Sequence, residues 1–262
     1  MFDFEDSGDG PALLFVPGAY STAAAWRGVV GALQGRYRTI LTSLPGYGGS
    51  SDPRELDDPA PGLIGDFLAA VVDRIGAPVH LVGHSFGGLC VLSGVLSGAV
   101  RPLSLITFEA NPVYGRWPGG PRPWRAELDV MLRRFEAAIE AGDPDAPGIV
   151  IDYWSAPGTF AAMPAAFQAH CRAKVATNRL DMRQGAAFCP EAADYARLTM
   201  PCTIARGGLA IAPITDIADT IVAHAPDTRL HVEDGAGHFL ISTHPAACAA
   251  VIDAHMARIG GV

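Results

Sequence analysis

The apolar positions of this chain change period several times, and each change marks an element. Phe2-Asp3-Phe4-Glu5 alternates with a period of two, which predicts an opening strand, and Ser7-Gly8-Asp9-Gly10-Pro11 is a turn into the apolar run Ala12–Val16. Ser21 or Thr22 is placed to cap a helix through about Leu33, because Trp26, Val29, Val30 and Leu33 recur at helical spacing. Arg38–Thr42 predicts the next strand, and Leu63, Ile64, Phe67, Leu68, Val71, Val72 and Ile75 form one helical face. Pro78–Val82 then reads as a buried strand, Leu89–Leu96 as a buried helix, and Pro102–Phe108 as a strand with Glu109 at its C-terminal end. Strands separated by helices predict an α/β fold with a parallel sheet and right-handed crossovers.

From Asn111 to about Pro190 the alternation stops. A helix is expected from Pro123, with Trp124, Leu128, Met131, Leu132, Phe135 and Ile139 as its stripe and Gly142 after its end. A second helix should include Ile149–Trp154 and a third should run from about Pro164 to Val175. The strand-helix alternation resumes with Cys202–Gly208, a helix around Ile214–His224 and the strand Thr228–Val232, followed by the turn Asp234-Gly235-Ala236-Gly237 before His238. No internal repeat or low-complexity linker divides the chain.

The stretch between the buried strand and the buried helix carries the chemistry. Gly83-His84-Ser85-Phe86-Gly87 fits G-x-S-x-G, in which a sharp strand-to-helix turn presents a serine Oγ and the glycines remove clashing Cβ atoms. In this context Ser85 is the candidate nucleophile. Three further stretches join it: Leu13-Leu14-Phe15-Val16-Pro17-Gly18, Leu44-Pro45-Gly46-Tyr47-Gly48-Gly49-Ser50 and Gly235-Ala236-Gly237-His238-Phe239. Taken together and in this order, they resemble the α/β-hydrolase superfamily over most of the chain. The resemblance implies an α/β-hydrolase fold: a mostly parallel central sheet flanked by helices, with a helical cap inserted. The core is then expected over 1–110 and 191–262 and the cap over 111–190, closing an apolar pocket over the serine.

A serine hydroxyl needs a base within hydrogen-bond reach, and the resemblance gives that role to His238. It also implies backbone N–H donors for an oxyanion hole at Ala19 and Phe86. Most of the family carries His where Pro17 stands, but the donor is backbone, so the role survives. The acid departs from the pattern. In most of the family an Asp follows the seventh strand, and Ala210 stands at that position here. Glu109, after the preceding core strand, is the leading candidate, because some relatives place the acid there and the order Ser85…Glu109…His238 is kept. Asp216 is the alternative. His84 is read as a packing neighbour.

Of the 262 residues, 49% are hydrophobic and 18% charged, enough for a sizeable core. A net charge of −8 without a Lys/Arg block argues against nucleic acid or an anionic membrane as partner. Between Ile75 and Val100 no Asp, Glu, Lys or Arg occurs, but two histidines and six glycines interrupt the stretch, as a buried strand and helix require. The N-terminus shows no secretory signal, and five scattered cysteines without a C-x-x-C pair point to buried thiols in a reducing cytoplasm. No metal or cofactor is expected, and oligomeric state is not readable. The expected activity is that of a carboxylesterase-like serine hydrolase, cleaving an ester or related acyl bond of a small, largely apolar substrate. The alternatives are a carbon–carbon bond hydrolase or cofactor-free perhydrolase with the same triad, or a non-catalytic binding protein on this scaffold.

Overall fold

The computed structural model describes residues 1–58, 62–117 and 119–260. The expected core and cap ranges include 59–61, 118 and 261–262, which lie outside the described residues. Among these residues seven strands form one sheet: β1 (Glu5–Ser7), β2 (Ala12–Val16), β3 (Arg38–Leu41), β4 (Val79–His84), β5 (Ser104–Phe108), β6 (Cys202–Gly207) and β7 (Thr228–Glu233). Their order is β1-β3-β2-β4-β5-β6-β7, with β1 antiparallel to β3 and the other neighbours parallel.

The central strands β2, β4 and β5 are buried along their whole length, because helices cover both faces and leave no position for a solvated side chain. Successive residues still separate by face. Leu14 and Val16 join a cluster with Leu68, Val91 and Ile217, whereas Leu13 and Phe15 pack with Trp26, Val29 and Ile252. The first cluster is built on α2 (Leu63–Ile75), α3 (Phe86–Leu96) and α9 (Ala212–His224); the second on α1 (Arg27–Ala32), α10 (Leu240–Thr243) and α11 (Pro245–Arg258). The edge strand β1 is exposed, and Glu5 and Asp6 pair with Arg27 and Arg38, which blunts the edge against further pairing.

Between β5 and β6 lie α4 (Arg125–Glu140), α5 (Ala146–Trp154), α6 (Thr159–Ala162), α7 (Ala165–Ala173) and α8 (Val175–Ala187). The structure corrects several expected boundaries. The opening strand is Glu5–Ser7 rather than Phe2–Glu5, because Phe2 and Phe4 turn to pack under Arg74, and Phe2 also meets Phe67. The elbow helix begins at Phe86, immediately after the serine. Where the helix from Pro164 was expected to end, a separate helix α8 starts at Val175. Its buried residues are Asn178, Asp181, Gln184 and Gly185, so hydrophobic periodicity had nothing to register. Four cysteines are buried, but Cys189 is exposed. Among the described residues no helix is long and apolar enough to cross a membrane.

Candidate active site

Ser85 occupies the bend between β4 and α3 with φ 53° and ψ −123°. That backbone region is strongly disfavoured for a residue with a Cβ and costs about 1–3 kcal/mol. The surroundings impose it. The Ser85 N–H donates to the Phe108 carbonyl at 2.9 Å. A Cβ on Gly83 would come within 2.7 Å of the Gly87 carbonyl, and one on Gly87 would run into the carbonyls of Val16 and Pro17. Among the described residues only four besides glycines have positive φ, and Tyr20, Ser85 and Glu109 are three of them. All three follow the C-terminal ends of strands, where ligands of parallel sheets gather.

His238 sits on the turn after β7 and is 5% exposed. Its Nε2 lies 2.9 Å from Ser85 Oγ, and its Nδ1 lies 3.1 Å from Glu109 Oε2. With Nδ1–H donating to the carboxylate, Nε2 is free to accept the serine proton. Glu109 is 1% exposed, and its other oxygen, Oε1, accepts the Gly207 N–H at 2.7 Å. The end of β6, where the resemblance implies an acid, thus supplies a backbone donor that holds the acid of the neighbouring strand. Ala210 carries no polar side chain, and its N–H lies 3.3 Å from the Gly207 carbonyl. Asp216 is engaged elsewhere: it accepts the Trp124 indole N–H at 2.8 Å and lies 3.7 Å from Arg122.

Ala19 and Phe86 line the same cavity as Ser85 and His238. Neither backbone N–H donates to another described residue. Phe86 also begins α3, so its N–H carries the positive end of the helix dipole. His84 is more than a packing neighbour. Its Nε2–H donates to the His238 carbonyl at 2.8 Å. Burial, with His238 adding to it, pushes its pKa down to about 3. It is therefore a neutral strut under the histidine turn.

The cavity over Ser85 measures about 70 Å³, as space open to the centre of a water molecule. About 10–15 Å³ on that measure holds one water, so in this conformation it admits a group of a few heavy atoms. Its walls include side chains that the sequence did not single out. Trp154, at the end of α5, stacks on the His238 ring at 5.5 Å and 24°. Tyr20 and Asn111 line it as well, as does Asp181 of α8. Asp181 accepts Arg54 Nη1 at 2.8 Å and the Tyr47 hydroxyl at 2.6 Å. Burial pushes its pKa up to about 6 against the pull of Arg54 and Tyr47. Tyr47 stands in the Gly-rich loop quoted above; Asp181 and Arg54 had no motif to betray them.

A buried serine, histidine and carboxylate in one relay beneath two free N–H donors, on a mostly parallel sheet, define a hydrolase-type site. The chain belongs to the alpha/beta hydrolase family, whose model matches residues 13–251. It is 36% identical over 140 residues to a pimeloyl-[acyl-carrier protein] methyl ester esterase of Aeromonas hydrophila, a match covering 52% of this chain and 54% of the relative. The chain thus spans about half the length of the curated relatives it matches. Over nearly the whole fold it resembles an alpha/beta hydrolase from Sphaerobacter thermophilus (TM-score 0.70, 23% identity, 97% and 96% of the two chains). It also resembles a bromoperoxidase from Bacillus anthracis (TM-score 0.77, 18% identity, 97% and 94%).

Proposed function

We propose that this protein is a serine hydrolase that cleaves a carboxylic ester of a small, largely apolar substrate through an acyl-enzyme. Ser85 is the nucleophile, His238 the general base and acid, Glu109 the orienting carboxylate, and the N–H groups of Ala19 and Phe86 the oxyanion donors. Residues 111–190 act as a cap over a core of 1–110 and 191–262. The observation that carries the reading is the unbroken relay Ser85 Oγ–His238 Nε2–His238 Nδ1–Glu109 Oε2, at 2.9 and 3.1 Å. The methyl ester esterase named above supports an ester over other acyl bonds. The five cysteines are free, which supports a reducing, cytoplasmic setting.

The steps follow from the geometry. Ser85 Oγ attacks the ester carbonyl while His238 Nε2 takes its proton, and the Glu109 carboxylate stabilises the imidazolium through Nδ1–H. Negative charge builds on the former carbonyl oxygen, where the two N–H groups donate to it. Collapse breaks the bond to the alcohol oxygen, which leaves with the proton from Nε2. A water then gives a proton to Nε2, attacks the acyl carbon and releases the acid, restoring Ser85.

A fluorophosphonate probe tests the assignment. It should label Ser85 in the wild type, located by peptide mass spectrometry, and leave Ser85→Ala unlabelled; labelling elsewhere, or none, refutes it.

A further inference from the structure

We propose that the cavity over Ser85 selects an uncharged ester with a hydrogen-bonding oxygen on each side of the scissile bond, Tyr20 binding one and Asn111 the other. This deepens the ester-hydrolase reading and rests on it.

The cavity wall is mostly hydrocarbon, with Leu89, Val113, Leu128, Leu132 and Val150 among its residues. Tyr20 and Asn111 break that surface. Tyr20 is 3% and Asn111 8% exposed. The Tyr20 hydroxyl and the Asn111 Oδ1 are buried without a hydrogen-bond partner. Buried polar atoms are nearly always paired, and both residues line the one cavity, so two orphans within its wall call for a ligand that pairs them.

Tyr20 is the stronger of the two observations. It follows Gly18-Ala19 with φ 58°, a region rarely taken by a bulky residue. Its ring packs with Ile151, Phe160 and Cys171, contacts that phenylalanine would make equally well. Only the hydroxyl distinguishes tyrosine there, and no group of the protein uses it. Burial raises its pKa, so the hydroxyl keeps its proton and can donate.

The sheet order sets the two groups apart. Tyr20 follows β2, Ser85 follows β4 and Asn111 follows β5, and β4 lies between the other two strands. One polar group therefore stands on each flank of the nucleophile. The cavity also tells against a charged substrate. No lysine or arginine lines it among the described residues, and the carboxylate of Asp181 is already engaged by Arg54 and Tyr47. A substrate carboxylate would be buried there beside a like charge and without a counter-ion.

The test is a panel of small esters hydrolysed by the wild type, read as kcat/KM by pH-stat. Ethyl valerate is the plain ester, ethyl levulinate adds a carbonyl on the acyl side, and hydroxyethyl valerate adds a hydroxyl on the alcohol side. Monoethyl succinate matches the levulinate in shape but carries a carboxylate. Each added neutral oxygen should raise kcat/KM roughly 10-fold, and the succinate should fall below ethyl valerate. In Tyr20→Phe the levulinate ratio to ethyl valerate should drop to near one, because the Tyr20 hydroxyl donates to the carbonyl, and in Asn111→Leu the hydroxyethyl ratio should drop, because Asn111 Oδ1 accepts from the hydroxyl. Ratios within one variant are insensitive to general loss of activity. Equal rates for the three neutral esters, a preference for the succinate, or both variants erasing the same ratio overturns the proposal. No cleavage of any panel ester by the wild type overturns the ester reading itself, and this proposal with it.

Discussion

Two buried polar clusters lie within one cavity wall of each other, and they are built on opposite principles. In the first, Ser85, His238 and Glu109 are joined by single hydrogen bonds of 2.9 and 3.1 Å, with unused N–H donors at Ala19 and Phe86 beside them. In the second, Arg54 spends all five N–H donors: two on Asp52, one each on Asp181, Gln184 and the Pro45 carbonyl. Both Asp181 oxygens are taken as well, by Arg54 and Tyr47. A cluster that is saturated can only hold its elements in place, here α8 against the Pro45–Arg54 segment. A cluster with vacancies can do chemistry, because substrate completes it. The contrast separates a strut from the proposed reaction centre more clearly than burial does, since both clusters are largely buried.

The comparison yields predictions of decreasing size. Ser85→Ala should lower kcat by several orders of magnitude, with the thermal midpoint, measured by calorimetry, little changed, because alanine keeps the Cβ and with it the backbone strain. Glu109→Gln should cost about four orders, while Asp216→Asn, which touches Trp124 rather than His238, should stay within a few-fold of wild type. The reverse ranking in ester turnover would move the acid role to Asp216.

Breaking the saturated cluster should act on stability instead. Arg54→Met leaves Asp181 buried without its cation, so that it must either stay charged and unpaired or take up a proton, and a loss of about 3–5 kcal/mol is expected in urea unfolding. Replacing both partners, with Arg54→Met and Asp181→Leu together, should recover much of that loss, since the fully buried carboxylate goes with its cation and only the partly exposed Asp52 is left without Arg54.

Acid sharpens the contrast further. His84 titrates near 6.5 when unfolded but is pushed down to about 3 by burial, and His255 to about 4 for the same first cause. Both depressed bases favour the folded state above pH 6.5, and that contribution is lost as pH falls through the native values. Unfolding free energy should therefore decline on acidification from about pH 6.5 toward pH 4, and His84→Asn should flatten the slope. An unchanged slope would mean that His84 is not held neutral. The smallest effect is expected at the end of α5: Trp154→Leu removes the face stacked on His238 and should reduce kcat/KM about 3- to 10-fold, on the scale of a cation–π contact to the transient imidazolium.

Local patterns along the chain determined a good deal. Mostly apolar runs marked β2, β4 and β5, the stripe from Leu63 to Ile75 matched the span of α2, and the elbow and histidine motifs pointed to Ser85 and His238. These are encoded in neighbours a few positions apart, where strand and helix periods or a tight turn leave a signature. Glu109 was legible only as a carboxylate at the right strand end. Its pairing with His238 depends on β5 lying beside β6, so that Gly207 can hold the second oxygen. Helix α8 and the Arg54–Asp181 pair left no signature at all. In sequence Asp52, Arg54 and Asp181 look like solvated charges, and only a contact across 127 residues makes them interior. Tyr20 and Asn111 are the same case in reverse: an ordinary tyrosine and asparagine become conspicuous only once folding has buried them without partners. Periodicity reports which face a residue turns inward. Which polar atoms meet there, and which are left unmet, is decided by segments far apart in the chain.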